Sequence, residues 1–146
     1  MTTDATTWFT HERRVAWVDT DPSGAYQFTA GIRYAEEAEI AMLRELGVLE
    51  VLYPHLPRVS VGADFRRPCY FEELVLVRIR VAALGTSSVS YVFRLELPDG
   101  TLCADGRMSA VFIGADGQPT ELPSVARQAL TKLLVPTPPG GERVDA

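Results

Sequence analysis

Histidine and cysteine are scarce in this 146-residue chain, with two of each. His11 and His55 stand alone, and Cys69 and Cys103 are far apart with no CxxC spacing, so no metal-ligand cluster is legible. Sparse, unpatterned cysteine fits a reducing compartment. No GxSxG occurs, which argues against a serine-hydrolase triad on an α/β-hydrolase scaffold. Positive charge is in deficit: the net charge of −5 offers no broad basic surface for nucleic acid or an anionic membrane. No apolar run approaches the roughly 20 residues that span a bilayer. The opening "MTTDATTWFTHERR" lacks a charged leader followed by an apolar core, so no signal peptide is expected. Internal repeats are missing too. These absences lead to the expectation of a soluble, cytoplasmic protein.

What is present is an ordinary globular composition, 47% hydrophobic and 23% charged, at a length suited to one core. A single domain is expected over 1–135. The Pro/Gly-rich remainder, 136–146, is expected to be flexible. A first strand is read in "FTHERRVAWV". A helix follows from about Thr29, as N-cap, to Leu46, with Gly47 as its stop. "YPHLPRV" reads as a loop and "RVSVGADFRR" as extended up to Pro68. "LVLVRIRVAAL" alternates with arginines on its polar face, and "VSYVFRLEL" sets Phe93, Leu95 and Leu97 against Arg94 and Glu96. The Asp99-Gly100 pair predicts a tight hairpin into "TLCADGRMSAVFI". A short amphipathic helix is expected around Val125 to Leu134.

The long helix bears on architecture. At 100° per residue, Ala30, Tyr34, Ala35, Ala38, Ala41, Met42, Leu43 and Leu46 cover more than half its circumference. Arg33, Glu37 and Arg44 make the only compact polar strip. So broad an apolar arc, rich in alanine, fits a helix wrapped by a curved antiparallel sheet, the α+β hot-dog arrangement. An α+β sandwich with the helix on one face fits the same pattern.

Chemistry centres on "DTDPSGAYQF", residues 19–28. Asp-Pro and Ser-Gly are common turn punctuation, so Asp21 can be read as a turn residue. It also leads directly into the helix N-terminus, where free N–H groups and the positive dipole end can hold an oxyanion. Asp19, two residues earlier, reads as a polar support for the turn. "DTDPSG" and the helix segment "RYAEEAE" resemble the D-x-D-P-x-G and R-W/Y-x-E-x-A motifs of the 4-hydroxybenzoyl-CoA thioesterase-like hot-dog family. The order of strands after the helix matches as well.

That resemblance implies an acyl-CoA or acyl-carrier-protein thioesterase in which Asp21 acts as nucleophile or general base. It implies that the backbone N–H of Phe28 is the oxyanion donor; Gly24 lets the backbone come close to a ligand, and Tyr26 is a further substrate-binding candidate. No cofactor is implied, since CoA or phosphopantetheine arrives with the substrate. A homodimer or homotetramer is expected, because a single hot-dog leaves a sheet edge open.

The chain departs from the family in two places. "AYQFTAGI" replaces a Tyr-Pro-Asn-Tyr type stretch, so the acyl pocket differs, and the "LGTSSVS" turn has no basic residue for CoA phosphates. Arg66 and Arg67 are the local alternatives for gripping phosphate, against simple pairing with Glu72 and Glu73. Glu36, which matches the family's helix glutamate, is a second candidate base. Two other readings stay open: a non-catalytic acyl-thioester binding or scaffold protein, and a hot-dog dehydratase or hydratase. The latter usually needs a histidine beside the acid, and none lies at the helix entry.

Overall fold

A computed structural model of the protein describes residues 8–134. The tail expected to be flexible lies outside the described residues. Five antiparallel strands, β1 (Phe9–Arg14), β2 (Arg58–Phe65), β3 (Leu74–Leu84), β4 (Ser88–Glu96) and β5 (Leu102–Val111), form one sheet in the order β1-β3-β4-β5-β2. The 18-residue helix α1 (Phe28–Glu45) packs against β1, β3 and β4. Two short helices complete the set, α2 (Leu49–Leu52) and α3 (Ser124–Thr131).

The alternation read from the sequence sets the sheet's two faces. Val75, Val77, Ile79 and Val81 of β3, and Val89, Tyr91, Phe93 and Leu95 of β4, are buried against the helix. Residues between them, including Arg78, Arg80 and Arg94, lie on the opposite, half-buried face. Bulges at Arg58/Ser60, Val81/Ala83 and Leu95/Glu96 bend the strands. At Gly106 the sheet closes so tightly that a Cβ would overlap the Gly62 carbonyl oxygen and sit 2.5 Å from Phe93 Cζ. The hairpin after β4 turns at Gly100, whose φ of +91° suits glycine.

Most of the broad arc on α1 is buried: Ala30, Tyr34, Ala35, Ala38, Met42 and Leu43 lie in the core, while Ala41 and Leu46 are half-buried at its edges. The helix ends where expected. Gly47, at φ +75°, lets its N–H reach Arg44 O and the Val48 N–H reach Leu43 O. Glu39 is the surprise on this face, with no exposure. Arg58, at the start of β2, answers it with two bonds, Nη2 to Oε1 at 2.5 Å and Nη1 to Oε2 at 3.1 Å. A buried carboxylate needs such a partner, and this one ties an edge strand to the helix.

Local expectations are corrected in four places. The first strand stops at Arg14, because the Asp19 carboxylate captures the Ala16 N–H at 3.0 Å and curls Trp17–Asp19 into a 3-10 turn. Thr29 is not the N-cap. The Gln27 side-chain carbonyl takes the Thr29 N–H at 3.0 Å as well as its hydroxyl, which moves the cap two residues back. Tyr53–His55 coils into a 3-10 turn where a plain loop is expected. The last helix ends at Thr131, since the Leu133 carbonyl is drawn to the Val81 N–H at 3.1 Å.

Candidate active site

The segment from Thr20 to Gln27 is a tight reversal that delivers the chain into α1. The Asp21 N–H donates to Ala25 O at 3.1 Å, and the Gly24 N–H donates to Asp21 O at 2.9 Å. Gly24 adopts φ +84°, a backbone state that a side chain would strain. One carboxylate oxygen of Asp21, Oδ1, accepts both the Ser23 hydroxyl at 2.5 Å and the Ser23 N–H at 2.9 Å. Those two bonds favour the charged form and hold the Asp21 carboxyl below the ordinary aspartate range. No described residue donates to Oδ2.

Asp19 has the opposite surroundings. It is 2% exposed. Oδ2 accepts the Tyr34 hydroxyl at 2.6 Å and the Ala16 N–H at 3.0 Å, Oδ1 accepts Arg33 Nη2 at 2.5 Å, and Arg13 Nη2 lies 3.3 Å from Oδ2. Burial pushes this carboxyl up, but the bonds from Tyr34, Arg33 and Ala16 and the charge of Arg13 outweigh it and bring it to about 2. Its carbonyl oxygen takes the Gln27 N–H at 2.7 Å. Asp19 therefore joins β1, α1 and the residue that caps α1, which is the supporting role its position suggests.

A cleft of about 340 Å³ opens at the N-terminus of α1 and is lined by Asp21, Ser23, Tyr26, Phe28, Arg66 and Arg67 among others. Five residues singled out from the sequence thus meet in one place. The Phe28 N–H, the first of the helix, bonds to no group among the described residues. The Phe28 ring, 58% exposed, stands edge-on to Phe65 of β2 with centroids 6.2 Å apart. Beside the turn, Trp17 stands edge-on to Phe71 at 5.8 Å.

The two arginines at the mouth differ. Arg67 is held in a fork by Glu73, at 2.9 and 3.1 Å, and this contact raises its pKa above the usual arginine value. Arg66 is half-exposed and pairs more loosely with Asp105, at 3.1 and 3.4 Å. Pairing with Glu73 is thus found for Arg67, whereas Arg66 turns to Asp105 on β5 and Glu72 pairs with neither.

Glu36 and Gly24 do not line the cleft. The Glu36 carboxylate accepts the Tyr53 hydroxyl at 2.8 Å and lies 3.9 Å from Arg58. Gly24 acts through the turn. Two cleft residues have little or no signature in the sequence. Ser23 is readable only as a side chain two residues after an aspartate, the spacing of a local side-chain to backbone turn. Phe65 is brought in by the pairing of β2 with β5. Among the described residues no group of three or more His, Cys, Asp or Glu could hold a metal ion, and no helix is long and apolar enough to cross a membrane.

A family model described as the thioesterase-like superfamily matches residues 15–130. This chain belongs to that superfamily. The match spans the Asp19–Gly24 turn, α1 and the whole β2–β5 sheet, so the helix-in-sheet architecture is the hot-dog fold. Solved structures agree. A 1,4-dihydroxy-2-naphthoyl-CoA thioesterase from Synechocystis superposes with TM-score 0.80 at 22% identity, covering 86% of this chain and 97% of that one. The dynemicin thioesterase gives TM-score 0.80 at 23% identity, with 88% and 98% covered. A Thermus thermophilus thioesterase complexed with coenzyme A and zinc gives TM-score 0.75 at 26% identity, with 85% and 92% covered. No curated protein matches the sequence.

Proposed function

We propose that the protein is an acyl-thioester hydrolase acting on an acyl-CoA, with Asp21 at its centre. The observation that carries this reading is the cleft itself: a carboxylate with one oxygen held by Ser23, beside a helix whose first N–H, on Phe28, is unbonded. A thioester carbonyl placed against that N–H gains an oxyanion partner as the tetrahedral centre forms. The second Asp21 oxygen then works in one of two ways. It takes a proton from water as the water oxygen bonds to the carbonyl carbon, or it bonds to that carbon itself and water later cleaves the anhydride. In both, the C–S bond breaks with its electrons on sulfur. The thiolate leaves without a dedicated acid, because it is a weak base.

Membership in a thioesterase-like superfamily and the coenzyme A bound to the Thermus relative favour CoA as the carrier. Arg66 is the better phosphate contact of the two, since its exposed pair with Asp105 exchanges at little cost. No metal or prosthetic group is called for. The assembly proposed is at least a dimer across β2, an edge strand whose Val59, Val61 and Phe65 are 61%, 42% and 44% exposed. The cytoplasm is the compartment proposed.

The test is thiol release from a panel of acyl-CoAs and acyl-pantetheines, with parent and Asp21→Asn protein compared. Rapid release that collapses in the variant supports the reading. Equal rates in both would falsify the Asp21 assignment and bring a binding-only protein forward.

A further inference from the structure

Among the residues that line the cleft, Tyr26 is the large one that is buried, at 6% exposure. Little of its surface reaches the open space. Its ring lies under the first turn of α1, in room that exists because residue 31 is glycine. A Cβ at Gly31 would stand 3.1 Å from Tyr26 Cε2, 3.2 Å from its hydroxyl oxygen and 3.2 Å from Leu95 Cδ1. Glycine inside a helix costs about 1 kcal/mol relative to alanine, and at this position its effect is space for an aromatic ring.

The far end of that ring is poorly served. The Tyr26 hydroxyl is buried with no hydrogen-bond partner, and its polar company is the thiols of Cys69 and Cys103. Both cysteines are free and fully buried. The ring is positioned by its backbone, whose N–H donates to Cys69 O at 2.7 Å, and by a tilted contact with Tyr34. Taking the side chain away would orphan no strong donor or acceptor. The space left would be lined by Gly31 and Leu95, with Cys69 alongside, an apolar hole of the kind that stays dry and accepts hydrocarbon.

We infer that Tyr26 sets the depth of the acyl pocket: its ring is the floor on which the acyl group stops, restricting the protein to short or flat acyl groups. This rests on the thioesterase reading for its substrate, and on packing alone for its geometry. Behind the floor lies a latent compartment, the space the ring now fills, bordered by Gly31 and Leu95 with Cys69 alongside. The acyl group of the natural ester ends between Phe28, Phe65 and the face of Tyr26.

The experiment uses S-alkyl-CoA thioethers from propyl to dodecyl, which cannot be hydrolysed, so binding is read apart from catalysis. For the parent, affinity should rise over the first few methylenes and then level off. For Tyr26→Ala it should keep rising by about fourfold for each further methylene buried. Native-state titration with a thiol reagent gives the second readout, with Cys69 closed in the parent and reactive in Tyr26→Ala. Tyr26→Phe keeps the floor and should match the parent in both. If Tyr26→Ala loses its circular dichroism, Tyr26→Val provides the smaller opening and should extend the plateau by fewer methylenes.

A parent affinity that climbs through dodecyl would overturn the inference. So would folded Ala or Val variants that level off with the parent and keep their thiols closed, or a Tyr26→Phe variant that behaves like Tyr26→Ala. Acyl-CoAs run alongside separate the two claims. Absence of thiol release from every ester would bring down the thioesterase reading, while the thioether series would still judge the floor.

Discussion

Asp19 and Asp21 stand two residues apart in one turn, and their surroundings could hardly differ more. Asp19 is sealed between β1 and α1, where Tyr34, Arg33, Arg13 and the Ala16 N–H use both of its oxygens. Asp21 sits at the rim of the cleft, held on one oxygen by Ser23 alone. The inner aspartate is saturated, so it can only hold. The outer one keeps an oxygen for something else. A turn that holds an exposed carboxylate in a fixed place needs an anchor close by in sequence, and the Asp19 carbonyl, which takes the Gln27 N–H, links that anchor to the start of the helix.

The sharpest way to break this division is to neutralise each aspartate in turn. Asp21→Asn should lower kcat/KM for thiol release by about 10²–10⁴-fold, the range of a positioned acid or base, with urea unfolding unchanged. Asp19→Asn should do the reverse. Removing a charge that faces Arg13 and Arg33 should cost on the order of 3 kcal/mol, read from the urea midpoint. Its activity should fall only as far as the turn loosens. An Asp19→Asn protein of parental stability would sink the anchoring role.

Acid provides a gentler probe. The Asp19 carboxyl lies at about 2 when folded, against 3.8 ordinarily. A group depressed in this way stabilises the fold above its unfolded value and loses that contribution as pH falls through its folded value. The parent should therefore lose about 2 kcal/mol between roughly pH 4 and pH 2 that Asp19→Asn does not lose, as followed by circular dichroism. The smallest effect belongs to Ser23. Because its hydroxyl and N–H favour the charged form of Asp21, Ser23→Ala should move the acid limb of the kcat/KM profile to higher pH. Ser23→Thr should restore it. A profile that stays in place would show that Ser23 only shapes the turn.

What could be read in advance followed from distance along the chain. The helix arc, the two alternating strands and the Asp99-Gly100 hairpin are local patterns, and they stand as read. The family resemblance carried by the segment 19–28 named Asp21, Tyr26 and Phe28, and the basic pair before Pro68 named Arg66 and Arg67; all five line one cleft. The partners of Asp19 were out of reach, since Arg13 and Arg33 come from separate elements. The burial of Glu39 was out of reach as well, because nothing in the helix announces Arg58. Gln27 was passed over as a cap because glutamine is a poor capping residue in general. It serves here because the Asp19 carbonyl fixes its backbone.

The places of the two tryptophans determine how this molecule can be watched. Trp17 is 76% exposed at the lip of the turn, and Trp8 lies half-covered with the Arg80 guanidinium 4.2 Å from its ring centre. Among the described residues the aromatic side chains of the core are tyrosine and phenylalanine, with Tyr34, Tyr91 and Phe93 among the largest side chains in it. Indole emission is thus a lamp hung outside the house. It lights the doorstep beside the cleft, whereas the state of the interior has to be followed through tyrosine absorbance or the backbone.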